Sequence, residues 1–278
     1  MRNEMVNTSL ERASNLAVTV VSLLVLLFLI VPLLVAIPLS FNLEPYFTYP
    51  MPGYSLRWYA EIFGSSANGV AWHAAFANSL FIGLCACVVA TVLGTMASFG
   101  LNREDVPFRG LVQGLLLSPL VVPVVVFATG SVYFFARLSL VGTYTGLIIA
   151  HALLGVPYVV ITVTAALSGF DNNLYRAGVS LGATPLSVFR KVVLPLIAPG
   201  VASGAVFAFV VSWDEIIVTL FLAYPEQHTV PRRLWAGVNE QLSPVVIAAS
   251  TILFIITLGL LFATEYLRRR NERLLGSA

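Results

Sequence analysis

Charge is scarce in this chain: Asp, Glu, Lys and Arg together make up 10% of the residues, against about a quarter in an ordinary soluble domain. A chain so poor in charge cannot keep a large surface in water, and the deficit points to a bilayer as its solvent. The net charge of +2 is too small for a nucleic-acid partner. Cysteine is nearly absent as well. Cys85 and Cys87 sit two residues apart in an apolar run; on a helix they point in different directions, which excludes an easy disulfide and argues for small core residues rather than a metal or redox pair. No Gly-x-x-x-x-Gly-Lys-Ser/Thr phosphate loop occurs, so no ATP site is expected in this chain. The chain holds three histidines and no His-rich motif, which leaves an intramembrane enzyme without a ligand or nucleophile–base set.

Hydrophobic side chains account for 58% of the 278 residues, and they fall into long runs. A span needs about 20 apolar residues, and six runs meet that length: Leu16–Leu39, Asn78–Leu101, Gly110–Ala136, Gly142–Leu167, Gly200–Ala223 and Pro244–Tyr266. The first exceeds the roughly 7–15 apolar residues of a signal peptide and reads as an uncleaved span. The expectation is an all-α integral membrane protein with six transmembrane helices, a single transmembrane domain over 1–278, in a bacterial inner membrane. An even number of spans puts both termini on one side. With the termini cytoplasmic, eleven basic residues lie inside (Arg2, Arg12, Arg103, Arg109, Arg176, Arg190, Lys191, Arg268, Arg269, Arg270 and Arg273) and four outside (Arg57, Arg137, Arg232 and Arg233). The positive-inside rule therefore predicts cytoplasmic termini.

Two connecting segments are more than links. Between spans 1 and 2 the chain is rich in aromatics and proline, from Pro45, Tyr46 and Phe47 through Trp58 and Tyr59. That composition suits either an interfacial belt with a short helix near Leu56–Phe63 or a docking surface. Between spans 4 and 5, Asp171 to Pro199 carries helical punctuation of its own. Asp171 is an N-cap; Leu174, Ala177, Gly178 and Leu181 share one helix face; Gly182 ends the helix. Thr184 and Pro185 open a second helix with Leu186, Phe189 and Val193 on one stripe, and Pro195 and Pro199 are expected to terminate it. Ala177 and Gly178 make the first helix thin on its apolar face. Such a loop is either a packed connector or a seat for a partner.

The pattern Arg176-Ala177-Gly178, three residues, Gly182-Ala183, then Val192 and Leu194-Pro195 resembles the EAA loop of ABC importer permeases. Asn78-Ser79, Phe108-Arg109-Gly110, Ser118-Pro119, Ser168-Gly169-Phe170 and Ser212-Trp213-Asp214-Glu215 extend the resemblance to the spermidine/putrescine type, from about Asn78 to Arg270. The family's leading Glu is Arg176 here and its second Ala is Gly178, so a salt bridge from that Glu does not carry over. The resemblance implies a coupling helix seated on a cytoplasmic ABC ATPase dimer that carries the ATP and Mg. It also implies a second permease subunit, homologous and non-identical, an extracytoplasmic substrate-binding protein, and membrane lipid around the spans. The implied cargo is a small cation such as putrescine or spermidine, with opines, amino acids or another small solute as the alternative. A secondary transporter that works without ATP is the competing class, but it leaves the loop unexplained and no internal repeat is visible.

Asp214 and Glu215 are the acids that fall within an apolar run. Carboxylates at that depth face a cavity or a partner. They line a cation path, with Trp213 offering a ring face, or they pair with Arg232 or Arg233, or they lock a permease dimer. His151 lies within span 4, as a hydrogen-bonded packing residue or a proton or ligand site. Pro119, Pro123 and Pro157 are kink candidates, and Gly83, Gly94, Ser79 and Ser98 read as close helix packing.

Overall fold

Long apolar segments have one inexpensive backbone in lipid, the helix, because it bonds its own polar groups. The computed structural model describes residues 2–46, 48–102, 106–240 and 243–275, and they follow that rule. The helices are α1 (Arg2–Leu39), α2 (Arg57–Ile62), α3 (Ala67–Leu101), α4 (Arg109–Leu117), α5 (Val124–Arg137), α6 (Tyr144–Ser168), α7 (Asn172–Ser180), α8 (Pro185–Val188), α9 (Leu194–Trp213), α10 (Ile217–Leu222), α11 (Val230–Glu240) and α12 (Pro244–Leu275). Strand pairing among the described residues is limited to one antiparallel bridge, Asn42–Tyr54. Among the described residues, five helices are long and apolar enough to cross a membrane, or six if a bent pair counts as one span. Phe47 and Arg103 lie outside the described residues, as do the side chains of Arg2, Arg12, Arg268, Arg269, Arg270 and Arg273.

The centre is a three-helix core of α3, α6 and α9. Small residues set its spacing. A Cβ at Gly94 would lie 2.7 Å from Val159 Cβ, and one at Gly204 would lie 2.9 Å from Val159 Cα, so α3 and α9 both close on the same turn of α6. Ser98 Oγ adds bonds to the carbonyls of Gly94 (2.8 Å) and Val160 (3.3 Å). Lipid gives apolar faces no solvent to escape, so close packing of this kind holds spans together. Helix α1 stands apart: its Ser14–Leu39 segment is unburied over its most apolar stretch.

Three spans differ from the sequence expectation. The second span, α3, starts at Ala67, not near Asn78, because Ser66 caps it by accepting from Gly69 N at 3.1 Å. The third is not continuous: α4 and a single 3-10 turn (Ser118–Leu120) meet α5 at a bend of 104°. Pro119 and Pro123 deny the backbone two donors where the helix would have to run on. In the fifth, Pro195 and Pro199 do not end a helix. A π turn at Phe189–Val193, in which Leu194 N donates to Phe189 O, widens the backbone ahead of Pro195. The ring is thereby accommodated, and Pro185–Trp213 forms one span. That span then breaks at Asp214–Ile216 before the short α10.

Candidate functional site

The loop between α6 and α9 is built by its caps. Asp171 Oδ1 accepts from Asn173 N at 2.9 Å and Thr184 Oγ1 from Ser187 N at 3.3 Å. Between them α7 closes with a Schellman motif: Gly182 N donates to Val179 O (2.9 Å) and Ala183 N to Gly178 O (3.2 Å). Gly182 takes φ +85°, a left-handed conformation that suits glycine. No atom lies within 4 Å of where its Cβ would be. Its identity therefore follows from backbone conformation and from what could approach it.

The thin face of α7 is used inside the chain. A Cβ at Gly178 would lie 2.9 Å from Val188 Cγ2, so the small residue seats α7 on α8. Arg176 and Ala177 are exposed; Leu181 is 88% and Leu186 66% exposed. The inner side is anchored by Phe99, whose ring meets Tyr175 at 6.1 Å and Phe189 at 4.9 Å. Val193 and Ile197 are buried against Val163 and Leu167 of α6. Leu194 is half-buried and Pro195 exposed on the helix that leads away. A cavity of about 360 Å³ lies behind α7, walled by Phe170, Leu174, Leu196 and Gly200 among others. The loop thus has an anchored back and an open apolar front.

The acid pair of the fifth span separates into two roles. Asp214 ends α9 with an exposed side chain. Glu215 turns back, and its Oε1 accepts from Val218 N at 2.9 Å, satisfying the first turn of α10. This local bond competes with a continuous helix and is a physical cause of the break. Trp213 is 3% exposed and stacks on Phe209 at 5.6 Å, within a core that includes Trp58 and Trp72. Its ring face is thus taken by packing, not open to a cation.

His151 is buried beside this break. Its Nδ1 meets Ser212 Oγ at 2.8 Å and its Nε2 faces Thr219 Oγ1 at 3.4 Å, so one imidazole touches both sides of the discontinuity. A hydroxyl can donate or accept, which lets either neutral tautomer fill both positions.

The end of the bundle opposite the loop is tied by side chains of distant sequence. Asn78 Nδ2 donates to the carbonyls of Glu226 (2.8 Å) and His228 (3.1 Å), while its Oδ1 accepts from Tyr144 OH at 2.8 Å. Ser79 Oγ accepts from Val230 N at 2.8 Å and Gln227 Nε2 donates to Gly142 O at 2.8 Å. Arg233 donates to Asn68 Oδ1 at 2.8 Å and lies over Trp72. The short helix expected near Leu56–Phe63 is α2; Trp58 Nε1 bonds Asn42 O at 2.6 Å, whereas Tyr46, Tyr49 and Tyr54 are exposed. Burial and the neighbouring Arg232 and Arg233 push His228 below the usual histidine range. Sequence reasoning singled out Asn78 and Ser79 but not their partners, which lie 66 to 151 residues away.

Comparison with known proteins agrees with this architecture. Residues 90–273 match the family described as binding-protein-dependent transport system inner membrane component. The spermidine/putrescine transport system permease protein PotC of Haemophilus influenzae is 29% identical over 88% of this chain and 93% of its own length. The putrescine transport system permease protein PotI of Escherichia coli is 31% identical over 91% of each. Among solved structures, a bacterial ABC transporter involved in import of the acidic polysaccharide alginate matches with a TM-score of 0.69 over 92% of this chain and 96% of that one, at 14% identity. The MetNI methionine ABC transporter matches at 0.60 over 74% of this chain and 99% of its own, at 16% identity. With its spans, its capped loop and its match across residues 90–273, this chain belongs to the permease family of binding-protein-dependent ABC importers.

Proposed function

We propose that this chain forms half of the translocation pathway of an ATP-driven importer for a small organic cation of the polyamine class. Both termini and the α7–α8 loop are cytoplasmic in this reading, as the distribution of basic residues requires. The end of the bundle tied by Asn78, Ser79 and Gln227 then faces outward, toward an extracytoplasmic binding protein. The exposed front of α7, with Ala177, Gly182 and Leu181, seats in a groove of an ATP-binding subunit, and a second, homologous permease completes the pore. Arg176 meets an acidic group of that subunit where family members carry Glu.

The observation that carries the cargo assignment is Asp214. Its side chain is exposed at the break that follows the Pro185–Trp213 span, at the C-terminal end of α9. Carboxylate and helix end are both negative there, so they attract a protonated amine and repel an anion. The relatives named as polyamine permeases support the same class.

The test is uptake of labelled putrescine and spermidine at low external concentration, in cells that lack other polyamine systems. Uptake should require the intact gene and should not be restored by an Asp214→Asn variant that inserts normally. Equal uptake with and without the gene would remove the polyamine assignment.

A further inference from the structure

Two spans of this chain are discontinuous, and they break beside each other. Leu116 and Leu117, which close α4, pack on the apolar cluster that runs from Ala152 to Leu167 of α6. Val124, which opens α5, packs on the cluster of Leu147 to Leu154. The Ser118–Leu120 turn between them also touches α6, so the Ser118–Pro123 break lies against that helix, where the two clusters meet. The Asp214–Ile216 break is held against the same helix, because Ser212 before it and Thr219 after it both meet His151. Val124 and Ile217, the first residues of the two outer half-helices, pack on one cluster.

The backbone of the first break is short of partners. Pro119 and Pro123 have no N–H. The amides of Val121 and Val122 both turn to Ser118 O at 3.0 Å, and Ser118 Oγ turns back to Leu115 O at 2.8 Å. Among the described residues, no amide or side-chain donor reaches the carbonyls of Leu120, Val121 or Val122. Val121 is 84% exposed. Unbonded carbonyls facing hydrocarbon are strongly disfavoured, and irregular backbone at this depth persists only where protein covers it or water reaches it. No described residue of this chain bonds to those carbonyls, and Val121 leaves the break exposed.

We propose that the Ser118–Pro123 break lines the translocation path, and that its carbonyls, with the Asp214 carboxylate on the adjacent break, accept N–H bonds from a protonated amine in transit. The assignment rests on the cargo reading above and adds a second acceptor station to it. Electrostatics at the junction favour a cation. The C-terminal end of α9 is negative, and the positive N-terminal end of α10 is neutralised by the Glu215 carboxylate. Neutral carbonyls bind an ammonium without the deep well of a second carboxylate, which suits a station that cargo must also leave.

Thiol accessibility in the assembled importer tests this. In a Cys85→Ser, Cys87→Ser background, single cysteines replace Val121, Val122 and, as a lipid-depth control, Phe28 of α1. Each variant is first shown to insert; the exposed Val121 makes no packing contact that a cysteine would lose. A membrane-impermeant thiosulfonate should modify V121C or V122C at least about tenfold faster than F28C, because only a hydrated thiol ionises to the reactive thiolate. Saturating putrescine should slow that reaction severalfold. Labelling of both positions as slow as F28C would overturn the assignment and place a partner subunit or lipid over the break. Fast labelling that putrescine leaves unchanged, in an importer that does take up putrescine, would overturn the carbonyl station. Fast labelling in an importer that carries neither putrescine nor spermidine would support the lining and contradict the cargo reading alone.

Discussion

At Gly182 the chain needs a left-handed residue, and any β-branched side chain there costs about 1–2 kcal/mol and disturbs the cap that ends α7. Gly182→Val should therefore insert normally, keep its spans and lose transport, with ATP hydrolysis by the partner no longer matched to uptake. Normal coupled uptake in that variant would remove the loop from the coupling role. The two neighbouring acids should behave differently. Asp214→Asn removes an exposed charge and should raise the concentration of cation needed for half-maximal uptake. Glu215→Gln keeps an oxygen that can accept from Val218 N, so it should retain most transport, whereas Glu215→Ala should lose about 1 kcal/mol of capping. Uptake curves of the three variants separate these outcomes. His228 gives a pH prediction. Burial and two arginines hold its pKa down in the folded chain, so the unfolded chain binds the proton first. Stability should then fall as pH drops through the ordinary histidine range, and His228→Gln should flatten that fall between about pH 7.5 and about pH 5.5 in thermal unfolding. The caps at Asp171, Thr184 and Gly182 were legible in the sequence because capping is decided within a few residues. The fates of Trp213 and His151 were not, since each depends on partners from other elements; the cap by Glu215 was missed although its partner, Val218, lies three residues on.

Among the elements, periodicity located the apolar runs well and their interruptions poorly. Pro119 and Pro123 flagged a kink, yet a 104° bend depends on how α4 and α5 each pack against α6. Pro195 and Pro199 looked like a stop; the π turn at Phe189–Val193 turned that stop into a continuous span. The thin face of α7 was visible as Ala177-Gly178, but its use, against Val188 of α8, was not. This contact yields an element-scale prediction. Gly178→Val should wedge α7 away from α8 and weaken coupling without loss of insertion. Adding Val188→Ala should recover part of the loss, which a double-mutant cycle on coupled uptake would read as a favourable interaction energy. Strict additivity of the two changes would mean that α7 and α8 do not work as one body.

Across the whole molecule, α3, α6 and α9 form one closely packed core, and the breaks at Ser118–Pro123 and Asp214–Ile216 both lie against α6. The loop packs on this core through Phe99, Val193 and Ile197, and the proposed coupling would reach the spans through these contacts. The most direct test is accumulation of labelled putrescine in proteoliposomes that hold this chain with its partner permease, ATP-binding subunits and binding protein. The account predicts accumulation that requires ATP on the side of the α7–α8 loop, is lost in Gly182→Val, and needs more putrescine in Asp214→Asn. Accumulation without ATP, or undiminished in both variants, would contradict it.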